Sequence, residues 1–217
     1  MGLLTGALYR ICEWITRLAY LNLLWLLFSM IGFVVVGIMP ATVAMFSVTR
    51  KWVMGQQDIP VFKTFWNTYK SDFVKSNVLG LALGFMAVMF YFDFRILQYM
   101  PAYQSVLQVV FLSLFFIYLL LLFFIFPVYV HYDIRLSQTF KFGVVIAFSR
   151  PLHSLGMIVA SMILGTLLWL FPLLSLFFSG SVFSLLVMWF AIRAFRSLNR
   201  QHEKEAETRG IERVGLL

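Results

Sequence analysis

Residues 106–130 read VLQVVFLSLFFIYLLLLFFIFPVYV, 25 positions without a formal charge, of which 20 are Leu, Ile, Phe or Val. At about −0.3 to −0.6 kcal/mol for each such residue, the gross preference for the bilayer is roughly −6 to −12 kcal/mol. Gln108, Ser113 and Tyr118 cannot offset that. A helix needs about 20 residues to cross a hydrocarbon core roughly 30 Å thick, so this stretch is one complete span.

Working outward, residues 77–94 form a second, shorter span in which Gly80 and Gly84 stand one turn apart. This small-xxx-small pattern makes them candidate helix-packing positions, where the span crosses a neighbour. Between His153 and Arg193 lie 39 residues without a formal charge, enough for two spans and a tight turn. Pro172 cannot continue a hydrogen-bonded helix but suits a first helical turn. The spans are therefore 155–171 and 173–192, joined at Trp169 to Pro172, with Ser179-Gly180-Ser181 a small, packable face of the last one.

The first apolar region, 18–49, holds 32 uncharged residues interrupted by Gly32, Gly37 and Pro40. It is too long for one straight helix and short for two. Gly37, Pro40 and Thr42 are the candidate helix break, with Ala41 to Thr49 a half-span or interfacial segment that Arg50, Lys51 and Trp52 return to the headgroups. A cleaved signal peptide is not expected, because Leu18 to Met39 exceeds an h-region of about 7–15 residues.

These stretches predict an all-α, polytopic transmembrane helical bundle of about five spans plus a re-entrant or half-span segment near Pro40, one membrane domain over 1–217. Composition agrees: 62% of residues are hydrophobic and 12% charged, against about 45–50% and 25% in soluble domains. The lipid bilayer is the expected partner. The net charge of +8 does not point to nucleic acid, since the basic residues sit in loops flanking apolar runs.

The distribution of those residues sets the orientation. Arg50, Lys51, Lys63, Lys70 and Lys75 precede the 77–94 span and Arg95 follows it. Arg135, Lys141 and Arg150 precede the fourth span, the next turn has none, and the 193–217 tail carries six. This alternation places the 50–76 loop, the 131–154 loop and the C-terminus in the cytoplasm of a multi-pass plasma-membrane protein. Arg10 and Arg17 favour a cytoplasmic N-terminus, which requires the Pro40 region to turn the chain back.

Within 59–75 the residues Phe62, Phe65, Trp66, Tyr69 and Phe73 recur at three- and four-residue steps, while Lys63, Lys70, Asp72 and Lys75 fill other positions. That is the pattern of a helix lying at the interface, here a candidate cytoplasmic surface helix. Gly2 to Arg17 is a weaker amphipathic stretch, and the tail should continue the last helix to Gly210.

Little in the chain suggests chemistry. Cys12 is the single cysteine, so no internal disulfide or thiol cluster can form. No acidic, basic or histidine residue lies at mid-depth in a span, where ion-coupled transporters carry them. Asp93 and Arg95 mark an aromatic belt and its aqueous edge. His131 and Asp133 offer two metal ligands where a site needs three or four. No P-loop, G-x-S-x-G elbow or H-E-x-x-H helix occurs, and an intramembrane enzyme would need His153, Asp133 and Ser161 to converge. No enzyme activity, metal or cofactor is expected.

A set of segments carries a family likeness. Asn22 to Phe28, then Gly37-Ile38-Met39-Pro40-Ala41-Thr42-Val43-Ala44-Met45 with Arg50-Lys51, then Phe62 to Phe73, resemble the YesL-like family of bacterial membrane proteins of unknown function. Phe126-Pro127-Val128-Tyr129 through Asp133, Gln138-Thr139-Phe140-Lys141 and Arg150-Pro151 look like the family's later half. The resemblance implies a non-enzymatic accessory role beside a carbohydrate ABC importer or membrane sensor, and it carries no catalytic or ligand residues. The alternative is an independent small-solute transporter or channel using Pro40, Asn22, Ser29 and Thr42 as a path.

Overall fold

The computed structural model describes residues 2–97, 104–132 and 134–214. Its elements are α1 (Gly2–Ile31), α2 (Ile38–Val53), α3 (Val61–Ser71), α4 (Phe73–Leu97), α5 (Gln104–His131), α6 (Leu136–Ser149), α7 (Pro151–Leu170) and α8 (Pro172–Val214). Among the described residues there is no strand. Five segments, Leu8–Ile31, Phe73–Leu97, Val106–His131, Pro151–Leu170 and Pro172–Leu198, are long and apolar enough to cross a membrane. The chain is an all-α polytopic bundle, a multi-pass membrane protein.

The interruption in the first apolar region falls earlier than Pro40. The chain reverses between Gly32 and Gly37, and Pro40 lies in the first turn of α2, where backbone N–H groups have no intrahelical partner and the imino ring costs no bond. α1 runs unbroken from Gly2, so the weakly amphipathic N-terminal stretch and the first span are one helix. Residues 131–154 are not simply a loop: they hold α6, an apolar helix too short to cross. α8 passes Gly210 and ends at Val214, since a lone glycine lowers helix propensity by only about 1 kcal/mol.

α2 is the centre of the bundle. Its 16 residues cover about 24 Å, less than the hydrocarbon thickness, and it packs against α1, α3, α4, α5 and α8. Ala41, Val43, Ala44 and Val48 are wholly buried; these small side chains let five neighbours approach one short helix. A second packed region joins α5, α6, α7 and α8 through Phe124, Val128, Ile146, Met157, Met188 and Phe195. The third sets Leu79 and Leu83 of α4 against Tyr118 and Ile125 of α5. Outward faces stay apolar, with Leu81 and Trp169 exposed, as expected where lipid is the solvent.

Cross-contacts gather one end of the bundle. Trp14 meets Trp52 edge-on at 5.6 Å, and Arg17 reaches Gln57 O and Asp58. Arg50 reaches Val130 O, and Arg150 reaches Ser197 O. Both arms of the α1–α2 hairpin thus open at the end that holds the last turn of α5 and the 195–197 turn of α8, hereafter the basic end. The chain turns back after α1.

Candidate functional site

The hairpin is made possible by two glycines in mutual contact. A Cβ at Gly37 would lie 2.5 Å from Ser29 O and 2.8 Å from the Gly32 Cα, and one at Gly32 would collide with the Gly37 backbone. Only hydrogen fits at either place. Between them Phe33 and Val34 take φ of 55° and 58°, a left-handed conformation costing roughly 1–2 kcal/mol per L-residue and rare for a β-branched side chain. The tip folds on itself: Phe33 N donates to Met30 O, Val34 N to Ser29 O and Ile38 N to Val34 O. Its outward side chains are apolar, Phe33 being 90% exposed. Self-bonded backbone under apolar side chains suits hydrocarbon rather than water.

One side-chain bond ties the arms, and a second braces it. Trp25 Nε1 donates to Thr42 Oγ1 at 3.0 Å, and Thr42 in turn donates to Ile38 O at 2.7 Å. α3 then clamps the hairpin from outside. The Phe28 ring is ringed by Phe62, Phe65, Trp66 and Tyr69, at centroid distances of 5.1–6.4 Å. Tyr69 donates its hydroxyl to Phe28 O at 3.2 Å, and burial raises the Tyr69 pKa, keeping that donor protonated. Lys63 and Lys70 are exposed, with Lys70 Nζ 5.4 Å from the Trp66 ring centre; Phe73 begins α4 and packs edge-on against Tyr69.

Asn22 joins the hairpin to α8. Wholly buried, it donates Nδ2 to Leu176 O at 2.8 Å and accepts from the N–H groups of Gly180 and Ser181 at 3.0 and 3.2 Å. Gly180 N and Leu176 O are also the two groups that an α-helical ladder pairs with each other, so the amide contacts both ends of one step of the α8 backbone. Gly180 admits it: a Cβ there would stand 3.0 Å from Asn22 Oδ1 and 3.3 Å from Met45 Sδ. Beside this joint a cavity of about 690 Å³, lined chiefly by apolar side chains including Trp25, Phe46, Leu122, Phe126 and Leu164, opens between α1, α2, α5, α7 and α8.

The candidate residues thus fall into three places. Gly37 closes the reversal, while Pro40 and Thr42 belong to α2, Thr42 as a strut. The 59–75 residues lie on or beside α3. Gly80 does pack, its missing Cβ leaving room for Met39 of α2, but Gly84 meets nothing within 4 Å, so the pair is not a joint crossing face. Asp93 and Arg95 are exposed near the far end of α4. Asp133 lies outside the described residues. Among those described, no three His, Cys, Asp or Glu side chains sit together as a metal site, and His153 and Ser161 stand about 12 Å apart along the α7 axis. Asn22 and Gly32 escaped the sequence as packing devices; the signal was a lone amide and an extra glycine inside an apolar run.

A polytopic helical membrane protein with a glycine-closed hairpin at its centre is the class these features define. A family described as a protein of unknown function, DUF624, matches residues 18–94, the stretch from the first span through the hairpin and α3 into α4. The uncharacterized protein YesL of Bacillus subtilis (strain 168) is 40% identical over 92% of this chain and 95% of its own length. The uncharacterized proteins YteU and YesV of the same organism are 39% and 35% identical, over 82% and 92% of this chain and 81% and 97% of theirs. The chain belongs to the YesL-like family. No solved structure matches it.

Proposed function

We propose that the protein is a non-enzymatic accessory or regulatory component of carbohydrate uptake or sensing, set in the plasma membrane with its basic end and C-terminus in the cytoplasm. The observation that carries this reading is the use made of the polar side chains between the helices. Asn22 and Trp25 spend their side-chain hydrogen bonds joining helices, Thr42 accepts from Trp25 while donating within α2, and the adjoining cavity is chiefly apolar. A sugar sheds several hydroxyl hydrogen bonds on entering such a space and regains few, at about 1–3 kcal/mol for each unmade bond. Association is the better use of this surface. α3 holds its aromatic face on Phe28 and presents Lys63 and Lys70 outward from a fixed frame, as a docking helix for an importer permease or a membrane sensor.

Crosslinking in intact membranes at native expression, purification in mild detergent and identification of what co-purifies tests this directly. Near-equal recovery of importer permeases or a sensor supports the proposal, and reversal of Lys63, Lys70 and Lys75 to Glu should then weaken the complex. Recovery of the protein alone, with sugar flux from reconstituted protein, overturns it. The alternative of an independent small-solute transporter draws on the strained Phe33–Val34 tip beside a broken span; it predicts that flux and its loss on Pro40→Ala.

A further inference from the structure

Around residues 195–197 of α8, basic residues from four separate segments gather. Arg50 of α2 donates Nη1 to Val130 O at 2.8 Å, and Arg150, between α6 and α7, donates Nη2 to Ser197 O at 2.9 Å. The His131 ring lies 4.9 Å from the ring of Phe195, whose neighbour in the chain is the exposed Arg196.

Among the described residues no carboxylate lies within 4 Å of these three arginines; the ion pairs are those of Arg17 with Glu13 and Asp58. The fold therefore pairs an arginine at one place on this end and gathers three at another without a described counter-charge. Arg50 Nε, Arg150 Nε and His131 Nδ1 are screened from solvent and have no hydrogen-bond partner. Capping a helix-end carbonyl explains one N–H of Arg50 and one of Arg150, out of the five each guanidinium carries. It does not explain why two half-buried guanidiniums stand beside a third basic residue, since a partly desolvated cation is unfavourable until an anion meets it.

We propose that this turn binds one phosphate-bearing anion, held by Arg196 and by the guanidinium N–H groups of Arg50 and Arg150 that the two carbonyls leave over. Guanidinium forks match phosphate oxygens in geometry, and two of the three are already fixed on backbone carbonyls, so little side-chain freedom remains to be lost. The phosphate belongs to the headgroup of an anionic phospholipid or to a soluble phosphate; basic clefts between helices at a membrane edge are a common setting for such headgroups. This site is independent of what the protein associates with.

The test uses the purified full-length protein in neutral detergent, with thermal unfolding and native mass spectrometry as readouts. The probes are phosphatidylglycerol, phosphatidylcholine and sodium phosphate, the last against sodium chloride at equal ionic strength. Phosphatidylglycerol should raise the melting temperature and stay bound where phosphatidylcholine does neither. Arg196→Gln, at an exposed position, and Arg150→Gln should each weaken it about tenfold, the fold-change for loss of one charge-assisted hydrogen bond, and Arg150→Lys should restore part. Stabilisation by sodium phosphate without any by phosphatidylglycerol supports the same site with a soluble source. Equal effects of the two lipids with none from phosphate, or an unchanged response in the Arg150→Gln/Arg196→Gln double variant, overturns the proposal.

Discussion

Replacing Asn22 with Ala removes three hydrogen bonds of 2.8–3.2 Å between α1 and α8. Interhelical bonds in membranes average about 0.6 kcal/mol and reach about 1.7 kcal/mol, so the gross loss is about 2–5 kcal/mol. Part is offset, because Gly180 N and Leu176 O keep each other as partners in the α8 ladder. The expected net destabilisation is about 1.5–3 kcal/mol, including the lost packing of a wholly buried side chain. Gly180→Ala supplies the cross-check. Its new Cβ meets Asn22 Oδ1 at 3.0 Å, so the substitution should cost about 1–3 kcal/mol alone and clearly less beside Asn22→Ala, a coupling of at least about 0.5 kcal/mol. Reversible unfolding in mixed micelles measures all four corners of the cycle. An Asn22→Ala protein within about 0.5 kcal/mol of the parent, or additive costs for the pair, would refute the bridging-amide account.

Gly37→Ala should leave little folded protein by size-exclusion yield, because its Cβ falls 2.5 Å from Ser29 O, whereas Gly84→Ala, in open space, should melt at or slightly above the parent temperature, since alanine favours helix by about 1 kcal/mol. Val34→Gly relieves a positive φ of 58° and should stabilise by about 1 kcal/mol in the same unfolding assay; a loss instead would mean that the valine side chain outweighs the strain. Tyr69→Phe removes a buried donor to Phe28 O and should cost about 0.5–1.5 kcal/mol, read as a lower melting temperature with α3 loosened in hydrogen exchange.

The spans were legible because lipid demands a long uncharged run, and a run such as 106–130 can do little else. The turn at Pro172 was legible for a similar reason: proline admits few places in a helix. The hairpin was legible only in part: Gly37 stands at the reversal, but Pro40 and Thr42 lie past it in α2, and the role of Gly32 exists only through contact with Gly37. Tertiary proximity also decided Gly80 and Gly84. Both satisfy the small-residue spacing, and only Gly80 has a neighbour to meet. α6 escaped because Lys141 and a short length make residues 136–149 resemble a loop between spans. Asn22 looked like a polar step on a solute path, and only the position of the α8 backbone makes it a joint.

The most buried element of this membrane protein is a helix too short to cross the hydrocarbon layer, and the hairpin explains why. A full span in the place of α2 would have needed its own route to the far side, taking volume from the contacts that α4, α5 and α8 now make with it. Turning back after α1 instead sets a 16-residue helix among five neighbours, with Asn22 on one arm seated in α8 and Met39 on the other seated over Gly80. The family match over 18–94 covers this unit: hairpin, clamp helix and the receiving glycine of α4. A partner that engages α3 through Lys63 and Lys70 would therefore act on the bundle's centre through Tyr69 and Phe28, not on a peripheral ornament. Charge reversal at the two lysines should thus weaken association while leaving the melting temperature unchanged, whereas Tyr69→Phe should lower both; a fall in melting temperature from the lysine changes alone would locate their role in folding instead.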